Sequence, residues 1–160
     1  MGHYRKIDAR IQNDEKFRSL SDDGQLVLFL LLTHPHLTAL GAMRGSIPGL
    51  AAEKGWPEKR YRKAFLEAFA KGMVKHDECA SFIWFPNFLK YNRPESPNVV
   101  KSWAASLELL PECPMKTALI QHVKAFSEAL PEAFSEALPE VFAKAMANQE
   151  QEQEQEQDII

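Results

Sequence analysis

Two cysteines, Cys79 and Cys113, are all the sulfhydryls in 160 residues. They make no disulfide framework, and each reads as a half-buried thiol. Long apolar runs are also missing. The longest, Leu26-Val-Leu-Phe-Leu-Leu-Leu32, is far shorter than a membrane span and reads as a core helix, so no membrane partner is expected. Met1-Gly-His-Tyr-Arg-Lys6 lacks an apolar signal segment, which implies a cytoplasmic protein. There is no glycine-rich phosphate loop, no nucleophile motif and no carboxylate pair in an apolar setting, so neither an enzyme nor a cofactor is expected. His34-Pro-His36, and His76 with Cys79, do not reach a four-ligand zinc spacing; these histidines read as surface residues and no metal is expected.

Positive charge is slightly outnumbered, giving a net charge of −3, but it is unevenly placed. Residues 1–101 carry 16 Lys+Arg against 11 Asp+Glu, a balance of +5. Residues 102–160 carry 3 against 11, a balance of −8. A basic head on an acidic tail is the asymmetry of a nucleic-acid module with a separate appendage.

The chain opens on a weakly periodic lead segment in which Ile7, Ile11, Phe17 and Leu20 are expected to dock on the core and Asn13 to cap a short helical turn. Ser21-Asp22-Asp23 is a strong helix start, with an N-cap hydroxyl and two carboxylates where the helix dipole favours them. That helix runs to about Thr33. It is apolar on nearly every side, which predicts burial, and Pro35 stops it. Leu40-Gly-Ala-Met-Arg44 reads either as a brief strand or as an extended linker.

The stretch Ser46–Gly72 is the centre of the sequence. Ser46 caps a short helix with Pro48 in its first turn, packed by Leu50, Ala51 and Ala52 and ended by Gly55. Trp56 fills the turn, and Pro57 opens a second helix over 57–71. At 100° per residue, Tyr61, Ala64, Phe65, Ala68 and Phe69 share the face to be buried. Lys59, Arg60, Lys63, Glu67 and Lys71 fall opposite, with Arg62 on the flank. This is the outline of a helix-turn-helix, whose second helix can enter the major groove of DNA. Gly72 ends the helix. Met73–Asp77 and Ser81–Phe85 then read as strands of a hairpin whose tip, Asp77-Glu78, is acidic.

A basic helix face is more often a solvated face, but after a helix-turn and before a hairpin it points to duplex DNA. Lysines and arginines neutralise phosphates, and arginine forks onto guanine. The candidate contacts are Lys59, Arg60, Lys63 and Arg62 on the second helix, Lys54 and Trp56 at the turn, and Arg44 and Lys75 flanking the groove. The acidic hairpin tip would repel phosphate, which keeps a protein partner in play.

Beyond Pro94 and Pro97, Asn98 is expected to cap a helix over Val99–Leu110 with Val100, Trp103, Leu107 and Leu110 inward. A further helix spans Met115–Ala129 with Leu119, Val123 and Phe126 inward. Phe126-Ser-Glu-Ala-Leu-Pro-Glu-Ala133 then recurs as Phe134-Ser-Glu-Ala-Leu-Pro-Glu-Val141, which a tandem duplication explains. The Gln/Glu alternation from residue 148 has nothing apolar to bury and reads as a solvated linker. The expected class is mainly α with a small β-hairpin: a winged helix-turn-helix followed by C-terminal helices. Its expected parts are a DNA-binding domain over 1–92, a helical extension over 93–147 and a low-complexity tail over 148–160.

Several blocks resemble one family. They are Tyr4-Arg-Lys-Ile-Asp8, Asn13–Asp23, Leu30-Leu-Leu-Thr-His-Pro35, Leu40–Arg44, Gly49-Leu-Ala-Ala-Glu53, Asn87–Asn92 and Pro97-Asn-Val-Val-Lys101. Together they are similar to bacteriophage and prophage replication proteins with an N-terminal winged helix, of the replisome-organiser class. The resemblance implies binding to double-stranded DNA at a replication origin and recruitment of helicase or helicase-loader proteins. The alternatives are a winged-helix protein-interaction module of the replisome and a phage transcriptional regulator.

Overall fold

A computed structural model describes residues 4–143. The expected Gln/Glu tail and the last residues of the helical extension lie outside them. The described chain is mainly helical with a small three-stranded antiparallel sheet. After a 3₁₀ turn at Ala9–Asn13 the order is α1 (Glu15–Arg18), α2 (Asp22–Leu32), β1 (Ala42–Arg44), α3 (Ile47–Lys54) and α4 (Glu58–Ala70). Then come β2 (Lys75–Asp77), β3 (Phe82–Trp84), α5 (Phe88–Tyr91), α6 (Pro97–Glu108), α7 (Pro114–Glu128) and α8 (Glu132–Glu136).

The lead segment is tied down as expected at Phe17 and Leu20, both 5% exposed. Ile7 departs from expectation and is exposed. The cap of α1 is Asp14, whose carboxylate accepts the Phe17 N–H at 3.0 Å, rather than Asn13. The segment is also stapled to the far side of the chain. Lys6 N–H donates to Asn92 Oδ1 at 2.8 Å, and Asn92 Nδ2 donates back to Lys6 O at 3.2 Å.

α2 starts where Ser21 predicts, with the Ser21 hydroxyl accepting the Gly24 N–H at 3.1 Å. Val27, Leu28 and Leu31 are buried, while Leu26 is 40% exposed, so the helix is buried on one side rather than all round. α3 and α4 close in the same way. Gly55 and Gly72 sit in the left-handed region at φ 74° and 72°. Trp56 N–H reaches back to Ala51 O, and Met73 N–H to Ala68 O, as in a Schellman cap. In α3 the buried residues are Ile47, Leu50 and Ala51, and Ala52 is exposed. In α4 they are Tyr61, Ala64, Phe65 and Ala68. Phe69, expected inside, is 43% exposed because it lies at the edge of the buried stripe.

The Leu40–Arg44 stretch holds a strand, β1, rather than a linker. β3 is central in the order β1-β3-β2, with Met43 and His76 each opposite Ile83. Side chains alternate across a sheet, so His76 and Trp84 point to opposite sides. Phe65 of α4 lies edge-on to His76 at 5.1 Å, and His122 of α7 lies edge-on to Trp84 at 5.4 Å. Helices therefore cover both faces. The central strand is apolar at every position because neither face meets water: Phe82 and Ile83 are 0% exposed.

Phe88–Tyr91 forms one helical turn. Ser96 rather than Asn98 precedes α6, and Pro97 takes its first turn, where a missing N–H costs nothing. Val100, Trp103, Leu107, Leu110, Leu119 and Val123 all enter one continuous core with the earlier helices. The two octapeptides fold alike. Ala129 N–H donates to Phe126 O at 3.2 Å, and Ala137 N–H to Phe134 O at 3.1 Å. Their surroundings differ: Ser127 is buried and Ser135 is not.

The cysteines differ from expectation in part. Cys79 is exposed at the hairpin turn, and Cys113 is half-buried at the start of α7. Among the described residues no helix is long and apolar enough to cross a membrane.

Candidate nucleic-acid interface

α3 and α4 are joined by Gly55, Trp56 and Pro57 alone. This short turn fixes where α4 points, and α4 packs on α2 as well as on α3. The start of α2 is thereby brought alongside the outer residues of α4. Ser21, Asp22 and Asp23 share one open groove with Lys59, Arg60, Lys63 and Glu67. Three cations and three carboxylates face each other there.

Arg60 is held on two sides. Its Nε and Nη2 donate to the two carboxylate oxygens of Asp23 at 2.8 and 3.0 Å. Its guanidinium carbon lies 3.8 Å from the centre of a Trp56 ring. The hydrogen bond from Arg60 holds the Asp23 carboxyl below its ordinary range, and the same bond raises the Arg60 pKa. Lys54 also lies over Trp56, 5.4 Å from a ring centre, and Tyr61 meets that indole edge-on at 6.2 Å. Lys54, Trp56 and Arg60 thus form one cluster.

Arg62 is used differently. Nη1 donates to Glu78 at 2.8 Å and Nη2 to Glu58 at 3.0 Å, and bonding to these carboxylates raises its pKa. The hairpin tip, an acidic pair in the sequence, is therefore engaged at both residues. Glu78 is bound to Arg62, and Asp77 accepts the Ala80 N–H at 3.0 Å within the turn. Lys59 and Lys63 are exposed and make no ion pair among the described residues. Glu67, expected among the outward residues, is turned toward the α2 N-terminus.

The flanking candidates are apart from this cluster. Arg44 is exposed at the end of β1 that lies nearest the hairpin turn, in the row Arg44–Phe82–Asp77. Lys75 lies at the opposite end of the sheet, its ammonium 5.1 Å from a ring centre of Trp84. His36 is exposed as expected, while His34 and His76 are less superficial. His34 Nε2 donates to the Glu53 carboxylate at 2.8 Å and its Nδ1 accepts the His36 N–H at 3.1 Å, and His76 is half-buried. Burial lowers the His76 pKa. Among the described residues no cluster of three or more His, Cys, Asp or Glu is placed to hold a metal.

Asp23, Glu58, Glu67 and Glu78 are the residues of the site that reading the sequence misses. A helix start accounts for Asp23 in full, and nothing local announces that α2 begins beside α4. The exposed Leu66, on the same helix at 48%, escapes the reading as well. Comparisons with protein-family models, curated proteins and solved structures returned no match.

Proposed function

We propose that this chain is a non-enzymatic, cytoplasmic DNA-binding protein of phage or prophage replication, in which residues 22–84 act as a winged helix and α4 enters the major groove. The order of elements supports the reading: helix, strand, two helices joined by a tight turn, then a hairpin whose second strand is central. The observation that carries it is the pair Lys59 and Lys63. They lie one turn apart on the exposed side of α4, without ion pairs among the described residues, and so remain available to phosphate. The resemblance of the sequence blocks to replisome organisers is what supports the replication context and a helicase or helicase-loader partner.

A protein-interaction module is the second reading. Leu66 and Phe69 favour it, being 48% and 43% exposed on α4, as do the carboxylates that balance the cations of the groove.

Salt titration of binding to double- and single-stranded DNA tests both. Duplex affinity is expected to fall steeply with salt. Lys59→Ala with Lys63→Ala should weaken it and reduce the log–log salt slope by about 2, roughly 0.9 for each phosphate left without its lysine. Unaltered duplex binding by the double variant would sink the assignment of α4. No duplex binding at low salt, with a helicase or loader co-purifying, would establish the second reading instead.

A further inference from the structure

Within the reading of α4 as the groove-entering helix, we propose that Arg60 reads a guanine and that Asp23 and Trp56 are positioning residues that orient its guanidinium. A guanidinium carries five N–H donors in one plane. Asp23 occupies the side-on edge through Nε and Nη2. Both hydrogens of Nη1 and one of Nη2 remain, and one from each nitrogen forms the end-on edge. Two parallel donors on that edge match O6 and N7 of guanine in the major groove. Trp56, 3.8 Å from the guanidinium carbon, restricts the remaining freedom of the plane. The Arg60 side chain nonetheless stays 51% exposed, so its free edge is open to a ligand.

Arg62 provides the contrast within the same helix. Its Nη1 and Nη2 both donate to carboxylates, whereas in Arg60 only Nη2 of the two does. Arg62 therefore ties the hairpin turn to α4, while Arg60 is built to present a fork. Holding a long side chain in its bound conformation lowers the entropy lost on binding, which favours specificity at that base.

The test uses the full chain. A duplex pool with a randomised centre yields a preferred site, and each guanine in it is replaced in turn by 7-deazaguanine, which lacks the N7 acceptor. One replacement is expected to weaken wild-type binding about tenfold. Inosine at the same place keeps O6 and N7 and should leave affinity unchanged. Arg60→Lys keeps the charge but loses the fork. It should abolish discrimination at that guanine while the salt slope is retained. Asp23→Ala and Trp56→Leu should reduce the same discrimination, with folding checked by circular dichroism.

If Asp23→Ala instead tightens binding to both duplexes equally, Asp23 only masks Arg60 and the proposal fails. It fails equally if no guanine is sensitive, or if Arg60→Lys still discriminates. Duplex binding without guanine discrimination overturns this inference alone. Absence of duplex binding by the wild type overturns it together with the proposed function.

Discussion

Glu67 caps a helix to which it does not belong. Its carboxylate accepts the Ser21 backbone N–H at 3.0 Å and the Ser21 hydroxyl at 2.5 Å, at the N-terminus of α2. In a capping box the residue three after the cap makes this bond to the cap N–H. Here that residue is Gly24, and a Cβ on it would meet Glu67 Oε2 at 2.8 Å. The glycine leaves room for a carboxylate delivered from α4.

Glu67→Ala should therefore destabilise the fold by about 1 kcal/mol, the usual cost of a lost N-cap interaction. Gly24→Ala should also displace the Glu67 carboxylate, and combining the two substitutions should cost less than their sum, since both act on one interaction. Urea unfolding of the single and double variants measures this.

Gly41 and Gly55 have nearly equal positive φ, 76° and 74°, but different surroundings. A Cβ at Gly55 meets nothing within 4 Å, whereas one at Gly41 would lie 2.2 Å from the Phe88 Cβ. Gly55→Ala should cost about 1 kcal/mol of backbone strain. Gly41→Ala adds the clash with Phe88 and should cost about 3 kcal/mol or more, or prevent folding. Denaturation midpoints of the pair separate strain from packing.

Tyr61 is 2% exposed, and burial pushes its phenol from 10.0 up to about 12, with Glu53 as a smaller contributor. The folded state thus holds the neutral form more tightly than the unfolded chain does. Its contribution is fully present below pH 10 and is lost as pH rises from about 10 to about 12. The loss should amount to about 3 kcal/mol. Tyr61→Phe should lose less stability than the wild type across that window in stepped-pH unfolding.

The phenylalanines Phe126, Phe134 and Phe142 are spaced by the octapeptide, yet Phe142 is 0% exposed and the other two are half-buried. Phe142→Ala should cost about 3–5 kcal/mol and Phe134→Ala clearly less. Equal losses in urea unfolding would mean that the repeat, rather than its position against the core, sets the energetics.

Much of the local structure is legible without coordinates. Ser21 and Ser46 mark helix starts because a short hydroxyl side chain satisfies an orphan N–H a turn away. Gly55 and Gly72 mark helix ends because few other residues accept the left-handed conformation. Exceptions arise where burial is marginal or caps compete. Phe69 and Leu26 look like core residues by periodicity but sit at the margins of their stripes. Asp14 and Ser96 precede their helices in place of the neighbouring asparagines.

The outward cations of α4 are legible too, as a pattern of types. Their states are not. Lys59 and Lys63 remain unpaired among the described residues, Arg60 keeps a free edge, and Arg62 is consumed by Glu58 and Glu78. Glu58 lies one turn away on the same helix, within reach of a sequence rule. Glu78 and Asp23 come from other elements.

The sequence by itself determined the caps, the breaks and the apolar stripes, because each depends on residues within about one helical turn or on a fixed period. Only the tertiary structure decided which charges of different elements meet. That depends on α2 and the hairpin turn arriving beside α4, an outcome of packing the whole core that no local pattern encodes. The basic face of α4 is thus a sequence property, and the choice of Arg60 over Arg62 as its free fork is a tertiary one.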